Sequence, residues 1–417
     1  MAAWLLNKLK SFMVLAYGFT GLLYYGLVAV RLGYLFKEPT EKENLELQIA
    51  RDKFWNLSKD CGFKFHYVCN DSGNRGPADQ AKPVVVFIHG FPDSWAIWRH
   101  VLSSSSLQES ATLVAVDMPG YGGSDSFEEY SATNVLESLT EFVIAIRAKY
   151  GVDTEAGPRQ KKLDYSLPRH SASNVRRLIS TSVKMVKTAS RDPIRSRSMF
   201  SKAFSTLGPV FRQVWRSKYI FAFQLPMFLV RYLGRGGYYS FLKIIHRSSY
   251  GRREFTSQDA AECLASTMGP STTESSTQTA DGEEYPASLK NERAPSSFQH
   301  MACYYRDGTS IARWNKSVET ITDLHSISGG NGAGLFDDGP KGALKASATI
   351  LWGKADIALE PQICLDGISD YLVADSQLVE LPLSGHFTPL ERESQVALEK
   401  AVEWSACYPK AVVTLRK

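Results

Sequence analysis

Cysteine is scarce in this chain. There are six in 417 residues, Cys61, Cys69, Cys263, Cys303, Cys364 and Cys407, with no CxxC pair and no spacing that gathers metal ligands. Neither a zinc site nor a disulfide framework is therefore indicated, and a reducing compartment is the plainer expectation. Charge is missing from one long stretch: Ser11 to Val30 carries no charged residue, although Lys8 and Lys10 precede it and Arg31 and Lys37 follow. That run matches the span of a bilayer core, so residues 1–36 read as a single-pass membrane anchor. A cleaved signal peptide is disfavoured by the length of the run and the lack of a small-x-small cleavage site, and a buried soluble helix by the absence of a polar side. Flanking cations are balanced and leave open which side of a membrane the body faces.

With 44% hydrophobic and 22% charged residues, the chain has the composition of a globular protein with one large α/β domain and an inserted subdomain. Val84–Ile88 is a short valine-rich run, as in a strand buried on both faces of a parallel sheet, and a second run, Ala111–Val116, ends in the turn formers Asp117 to Asp125. Helical spacing occupies Trp95–Leu107 between them, and Thr133–Tyr150 is amphipathic through Val135, Leu136, Leu139, Phe142, Val143 and Ile146. The order strand, helix, strand, helix predicts a mainly parallel sheet.

Four motifs in order then carry a family resemblance: HGFPD at His89–Asp93, DMPGYGGSD at Asp117–Asp125, GKADIAL at Gly353–Leu359 and SGHFTPLE at Ser384–Glu391. Together they resemble the α/β-hydrolase superfamily, and HGFPDSW resembles its epoxide-hydrolase and haloalkane-dehalogenase branch. The resemblance implies an α/β-hydrolase fold with an inserted helical cap. Its divisions are 1–36 as anchor, 37–80 as linker and first strands, 81–162 as the first part of the core, 174–338 as cap and 339–417 as the second part. In such a site a nucleophile on a strained strand-to-helix turn attacks the substrate, and backbone N–H groups hold the developing negative charge. By resemblance the loop His89, Gly90, Phe91, Pro92, Asp93 supplies the Phe91 N–H to that oxyanion hole, His386 is the base and Asp356 the acid that orients it. The plainer alternatives are a simple turn at Phe91, a helix cap at His386 and a turn aspartate at Asp356.

The nucleophile is absent. It belongs on a buried strand soon after Tyr150, where the chain instead reads Leu163-Asp164-Tyr165-Ser166-Leu167-Pro168. No apolar run and no small flanking residues are present, and Pro168 would remove a ladder donor, so Asp164 is a poor candidate. Ser124 is separated from its strand by Pro119 and three glycines, Ser328 has no strand before it, and Cys303 lies in a helical segment. A central strand lost with its helix leaves its neighbours unpaired and core volume empty, which points to an altered or mis-joined chain with Leu163 to Ser173 as the foreign join.

Twelve lysines and arginines between Arg159 and Lys202 face only Asp164 and Asp192. No nucleic-acid motif accompanies them, and Asn174–Ala189 is amphipathic, so a solvated face or anionic membrane lipid suits the charge better than nucleic acid. In the cap, Tyr305 falls where the resemblance implies a ring-opening tyrosine, whereas Ala222 occupies the place of the second. Ser271–Ser297 reads as an exposed loop. The chemistry implied needs no metal or organic cofactor, and its substrate would be a small hydrophobic molecule. The alternatives are a non-catalytic, membrane-tethered binding relative and, more weakly, a serine esterase; the oligomeric state is not readable.

Overall fold

The computed structural model describes residues 2–34, 51–57, 63–71, 82–150, 166–189, 196–251, 254–270, 298–306, 312–327, 348–373 and 376–407, with short pieces between 276 and 309. Strands β1 (Arg51–Leu57) and β2 (Phe63–Cys69) pair antiparallel, with Arg51 opposite Cys69. Strand β3 (Val84–Ile88) runs parallel to β4 (Thr112–Val116), Val84 level with Thr112, and β2 closes antiparallel on the other side of β4. The resulting order is β1-β2-β4-β3, and a separate parallel pair joins β5 (Thr349–Gly353) to β6 (Gln377–Leu381). The described residues thus form an α/β arrangement whose sheet lies in two pieces, each containing a parallel pair.

Strand β3 corrects one expectation. Every residue of β4 is buried, whereas of β3 only Phe87 is, the four others being half-buried. Valine enrichment makes a strand, but full burial needs a neighbour on each side, and among the described residues β3 ends its sheet. The segment 166–173, where a strand with a tight turn would be sought, is instead the start of a helix, α3 (Ser166–Ala189). Residues 151–165, including Asp164, lie outside the described residues, as do Ser328 and the linker 37–50.

Helix α2 (Ala132–Lys149) is capped by the Ser131 hydroxyl, which accepts from the Asn134 N–H, and it buries Val135, Leu139, Phe142 and Ile146. That spacing of three and four is one helical face, and Phe142 meets Phe65 and Tyr67 of β2 with ring centroids 5.2 and 5.6 Å apart. Trp95–Leu107 is helical in three short pieces rather than one: a 3₁₀ turn at Trp95–Trp98, then Arg99–Leu102 and Ser105–Ser110.

Helices in the stretch read above as the cap include most of α3, α4 (Ser196–Arg216), α5 (Lys218–Ala222), α6 (Met227–Ser249), α7 (Ser257–Ala265) and α8 (Phe298–Cys303). α3 and α4 pack side by side, with the Ser182 hydroxyl donating to the Ala203 carbonyl. Within 271–297, Tyr285 and Leu289 are buried, so that stretch is not wholly an exposed loop. The last helix, α9 (Arg392–Cys407), packs on both β3 and β5 and so covers both sheet pieces.

Helix α1 (Ala2–Arg31) is long and apolar enough to cross a membrane. Its second half is docked on the cap: Tyr25 and Ala29 are buried, and a Cβ on Gly18 would sit 2.5 Å from the Phe221 carbonyl oxygen, so only glycine allows that approach. Its first half is exposed, through Trp4, Leu5, Leu6, Leu9, Phe12 and Met13.

Candidate functional site

Parallel pairing of β5 with β6 brings the loops that follow them to the same sheet end, Gly353 level with Leu381. Asp356 leaves β5 in a tight turn, its N–H donating to the Gly353 carbonyl, and its Oδ1 accepts the Ala358 and Leu359 N–H groups at 2.6 and 3.1 Å. The other oxygen, Oδ2, accepts from His386 Nδ1 at 2.9 Å. With Nδ1 engaged by the carboxylate, Nε2 is the nitrogen left to exchange a proton. Burial favours the neutral ring, but the hydrogen bond and charge of Asp356, with Asp93 and Glu391 farther off, outweigh it and raise the His386 pKa above its ordinary value.

Local backbone contacts fix that loop. The His386 N–H donates to the Ser249 carbonyl at 2.8 Å, and Glu391 Oε2 accepts the Gly385 and Gly251 N–H groups at 2.7 and 2.9 Å. A Cβ on Gly385 would meet the Ser249 carbonyl oxygen at 2.3 Å, so a side chain there would push the loop off the end of α6.

The loop after β3 is tied down just as closely. His89 is buried, donates from Nδ1 to the Gly90 carbonyl and accepts the Met118 N–H at Nε2, a pairing that needs the neutral ring. Burial also lowers its pKa, against the opposing charge of Asp117. Asp93 is buried with Oδ1 accepting from the Ser266 hydroxyl at 3.0 Å and facing His246 Nε2 at 3.4 Å, while Pro92 is buried behind it. Phe91 points elsewhere: its ring meets Tyr305 edge-on at 5.3 Å and lies parallel to Tyr219 at 6.0 Å.

Phe91 and His386 share a cavity of about 540 Å³, whose walls include Tyr219, Ile357 and Phe387, with Tyr24, Tyr25, Val28 and Leu32 contributed by α1. No carboxylate and no thiol lines it among the described residues; Ser248 and Ser249 do, the Ser248 hydroxyl donating to the Ile245 carbonyl. Nor does any described hydroxyl, thiol or carboxylate hydrogen-bond His386 Nε2. Of the other nucleophile candidates, the two described ones, Ser124 and Cys303, do not line this cavity. Ser124 is fully buried, donating to the Asp117 carbonyl and accepting the His66 N–H, and Cys303 donates to the Gln299 carbonyl within α8. No group of three or more His, Cys, Asp or Glu among the described residues could hold a metal ion.

Two residues escaped the sequence reading. Tyr219 lines the cavity one helical turn before Ala222, the position where a second cap tyrosine was sought, and burial with the Asp356 charge pushes its phenol up to about 12. The signal was present in the sequence, since residues three apart share a helix face. Asp117, read only as a turn former, is a buried hub: its carboxylate accepts from His66 Nδ1, the Trp95 N–H and the Gly123 N–H at 2.8, 2.7 and 2.8 Å. Burial works against its ionised form, but these bonds and the neighbouring histidines hold its pKa below the usual carboxylate value.

Residues 83–154 match the family model of the α/β hydrolase fold. Epoxide hydrolase 3 of Xenopus tropicalis is 34% identical over 88 residues, 20% of this chain and 22% of that protein. Epoxide hydrolase 4 of Mus musculus is 43% identical over 68 residues, 16% of each chain, and epoxide hydrolase B of Mycobacterium tuberculosis 33% identical over 94 residues, 21% of this chain and 26% of that one. The matched stretch therefore spans about a fifth of these relatives' lengths. Among solved structures, the Cif epoxide hydrolase of Acinetobacter nosocomialis aligns over 90% of this chain and 95% of its own, at 15% identity and a TM-score of 0.45.

Proposed function

We propose, from the premise that this chain is an epoxide hydrolase-like α/β-hydrolase, that it retains the acid–base half of an ester-forming hydrolytic site without the nucleophile, and that as written it does not turn over epoxides. The supporting observation is the 2.9 Å bond from His386 to Asp356 at a cavity that Phe91 also lines and that no described carboxylate or thiol enters. In an intact site of this type an aspartate forms an ester with the substrate carbon, and His386, oriented by Asp356, takes a proton from the water that cleaves it. The Phe91 N–H would hold developing negative charge, and a phenol from Tyr219 or Tyr305 would donate to the epoxide oxygen as the ring opens. A small hydrophobic substrate suits the apolar walls, and no metal or organic cofactor has a part in this chemistry. Helix α1 serves as a membrane anchor.

The second reading, a serine esterase, would need a hydroxyl near His386, and Ser249 at the end of α6 lines the same cavity, its carbonyl accepting the His386 N–H. Incubating the purified chain with a labelled epoxide and with a p-nitrophenyl ester separates the readings. No turnover of either is the expected result; turnover of the epoxide that His386→Ala abolishes would defeat the proposal, and turnover of the ester alone would favour the serine enzyme.

A further inference from the structure

We infer that the flank built from α1, α4 and the start of α6 docks on an anionic lipid surface, with Phe200, Phe204, Phe211 and Trp215 of α4 seated at the headgroup boundary. This surface is additional to the anchoring helix and independent of the hydrolase reading, since a chain without turnover would dock in the same way.

Helical spacing supplies the first step. Phe200, Phe204, Phe211 and Trp215 follow one another at intervals of four, seven and four, which places them along one face of α4, and they are 37%, 67%, 58% and 57% exposed. Four large aromatics left in solvent along a single helix form an apolar strip of the kind that marks an interaction surface. The other side of α4 is already used, Ala203 and Pro209 being buried in the cap.

Charge identifies the partner. Residues 166–253 hold eighteen lysines and arginines against one acid, Asp192, while the remainder of the chain, with thirty cations against forty-two acids, is net acidic. Helices α1, α3, α4, α5 and α6 contain no aspartate or glutamate at all. Cationic helices with an exposed aromatic face fit an interfacial position on anionic lipid. Cations and aromatics together would also suit single-stranded nucleic acid. What favours lipid is continuity with the apolar α1: Tyr24 of α1 meets Trp215 edge-on at 5.9 Å, the Tyr17 hydroxyl donates to the Val214 carbonyl, and the Lys218 ammonium lies 4.1 Å from the Tyr24 ring and 4.5 Å from that of Trp215.

Length completes the argument. Helix α1 is docked on the body from Tyr17 onward, so the part left free, Ala2–Ala16, reaches about 22 Å at the helical rise and carries Lys8 and Lys10 in its middle. A hydrocarbon core is about 30 Å thick. On the anchor reading, a free segment this short enters the membrane only with the flank at Trp215 at the lipid surface, together with Phe228 and Tyr232 at the start of α6, which are 68% and 63% exposed.

The test uses the full chain in nanodiscs made with brominated lipids, which quench tryptophan near the headgroup boundary. Subtracting the emission of Trp215→Phe from that of the parent isolates Trp215. In discs containing phosphatidylserine that difference should fall at least about twofold, and the pair Phe204→Ser with Phe211→Ser should abolish the fall. Thermal melting of the variants confirms that they are folded. No quenching with phosphatidylserine, equal quenching in pure phosphatidylcholine, or loss of quenching on adding single-stranded oligouridylate would each overturn the proposal.

Discussion

Strands β4 and β3 are hydrogen-bonded neighbours of nearly the same composition, TLVAV and VVVFI, and they sit in different surroundings. β4 has β2 on one side and β3 on the other and is buried at every residue; among the described residues β3 has β4 alone and is half-buried at four of five. Across the gap, β5 repeats the pattern of β3, with Thr349, Ile350 and Leu351 half-buried. Among the described residues both strands have one hydrogen-bonded neighbour each, and the helix α9 packs on both. Among the described residues, burial in the sheet thus follows a strand's neighbours rather than its composition, and on the function proposed above the open flank of β3 is also where the nucleophile would belong.

The strongest way to break this comparison is to fill the gap. A strand, tight turn and helix bearing an aspartate, inserted between Lys162 and Leu163, should pair with β3 and place a carboxylate near His386. Epoxide turnover should then rise by at least about 10²-fold over the parent and be lost again in His386→Ala. Hydrogen exchange at the Val84–Ile88 amides should slow in parallel. Exchange that slows without turnover would mean that the sheet was repaired but the acid–base pair was not competent; neither change would mean that the open edge of β3 has another cause.

A second contrast sets the two buried acids against each other. Asp117 joins β2, the loop after β3 and the glycine turn through three hydrogen bonds, whereas Asp356 joins two loops of the two-stranded piece beside a third-exposed imidazole. Asp117→Ala strands His66 and two backbone donors and should cost about 3–5 kcal/mol in urea unfolding; Asp356→Asn should cost under about 1 kcal/mol. Equal costs would show the two sheet pieces to be equally well built.

Core truncations sharpen the same point at smaller magnitude. Leu113 in β4 is fully buried, and Leu113→Ala should destabilise by about 2–5 kcal/mol. Leu351 is half-buried in β5, so the same substitution there removes fewer contacts and should cost under about 2 kcal/mol.

How far the sequence could be read follows the same division. Strand ends, helix α2 and the two loops that meet at His386 and Asp356 were legible because each rests on a local pattern: an apolar run that stops at turn formers, or apolar residues at helical spacing. The burial of β3 was misread because a valine run is the same whether or not a strand lies beside it. Asp117 was passed over because its partners His66, Trp95 and Gly123 are gathered from three separate segments, and nothing within Asp117–Asp125 announces them. Tyr219 was missed for a smaller reason, one turn of helix register.

The finest contrast is within the acid–base pair and concerns protons. Burial alone would lower the pKa of His386, so a value above the ordinary one measures what Asp356 contributes. Titrating the imidazole by NMR should place its midpoint above about 6.5 in the parent and lower in Asp356→Asn. Because the folded value is raised, the ion pair stabilises the fold fully below the unfolded value and the contribution disappears as pH rises through the folded one; with the ring a third exposed, it should amount to under about 1 kcal/mol. In the repaired enzyme the same shift has a kinetic counterpart: the ring must be neutral to take a proton from water, so turnover should rise with pH through that raised midpoint, and Asp356→Asn should move the limb to lower pH while reducing the plateau. A midpoint that does not move on removing the Asp356 charge would mean that the 2.9 Å contact does not hold the imidazole in solution, and the two-stranded piece would then lack even the half-site proposed for it.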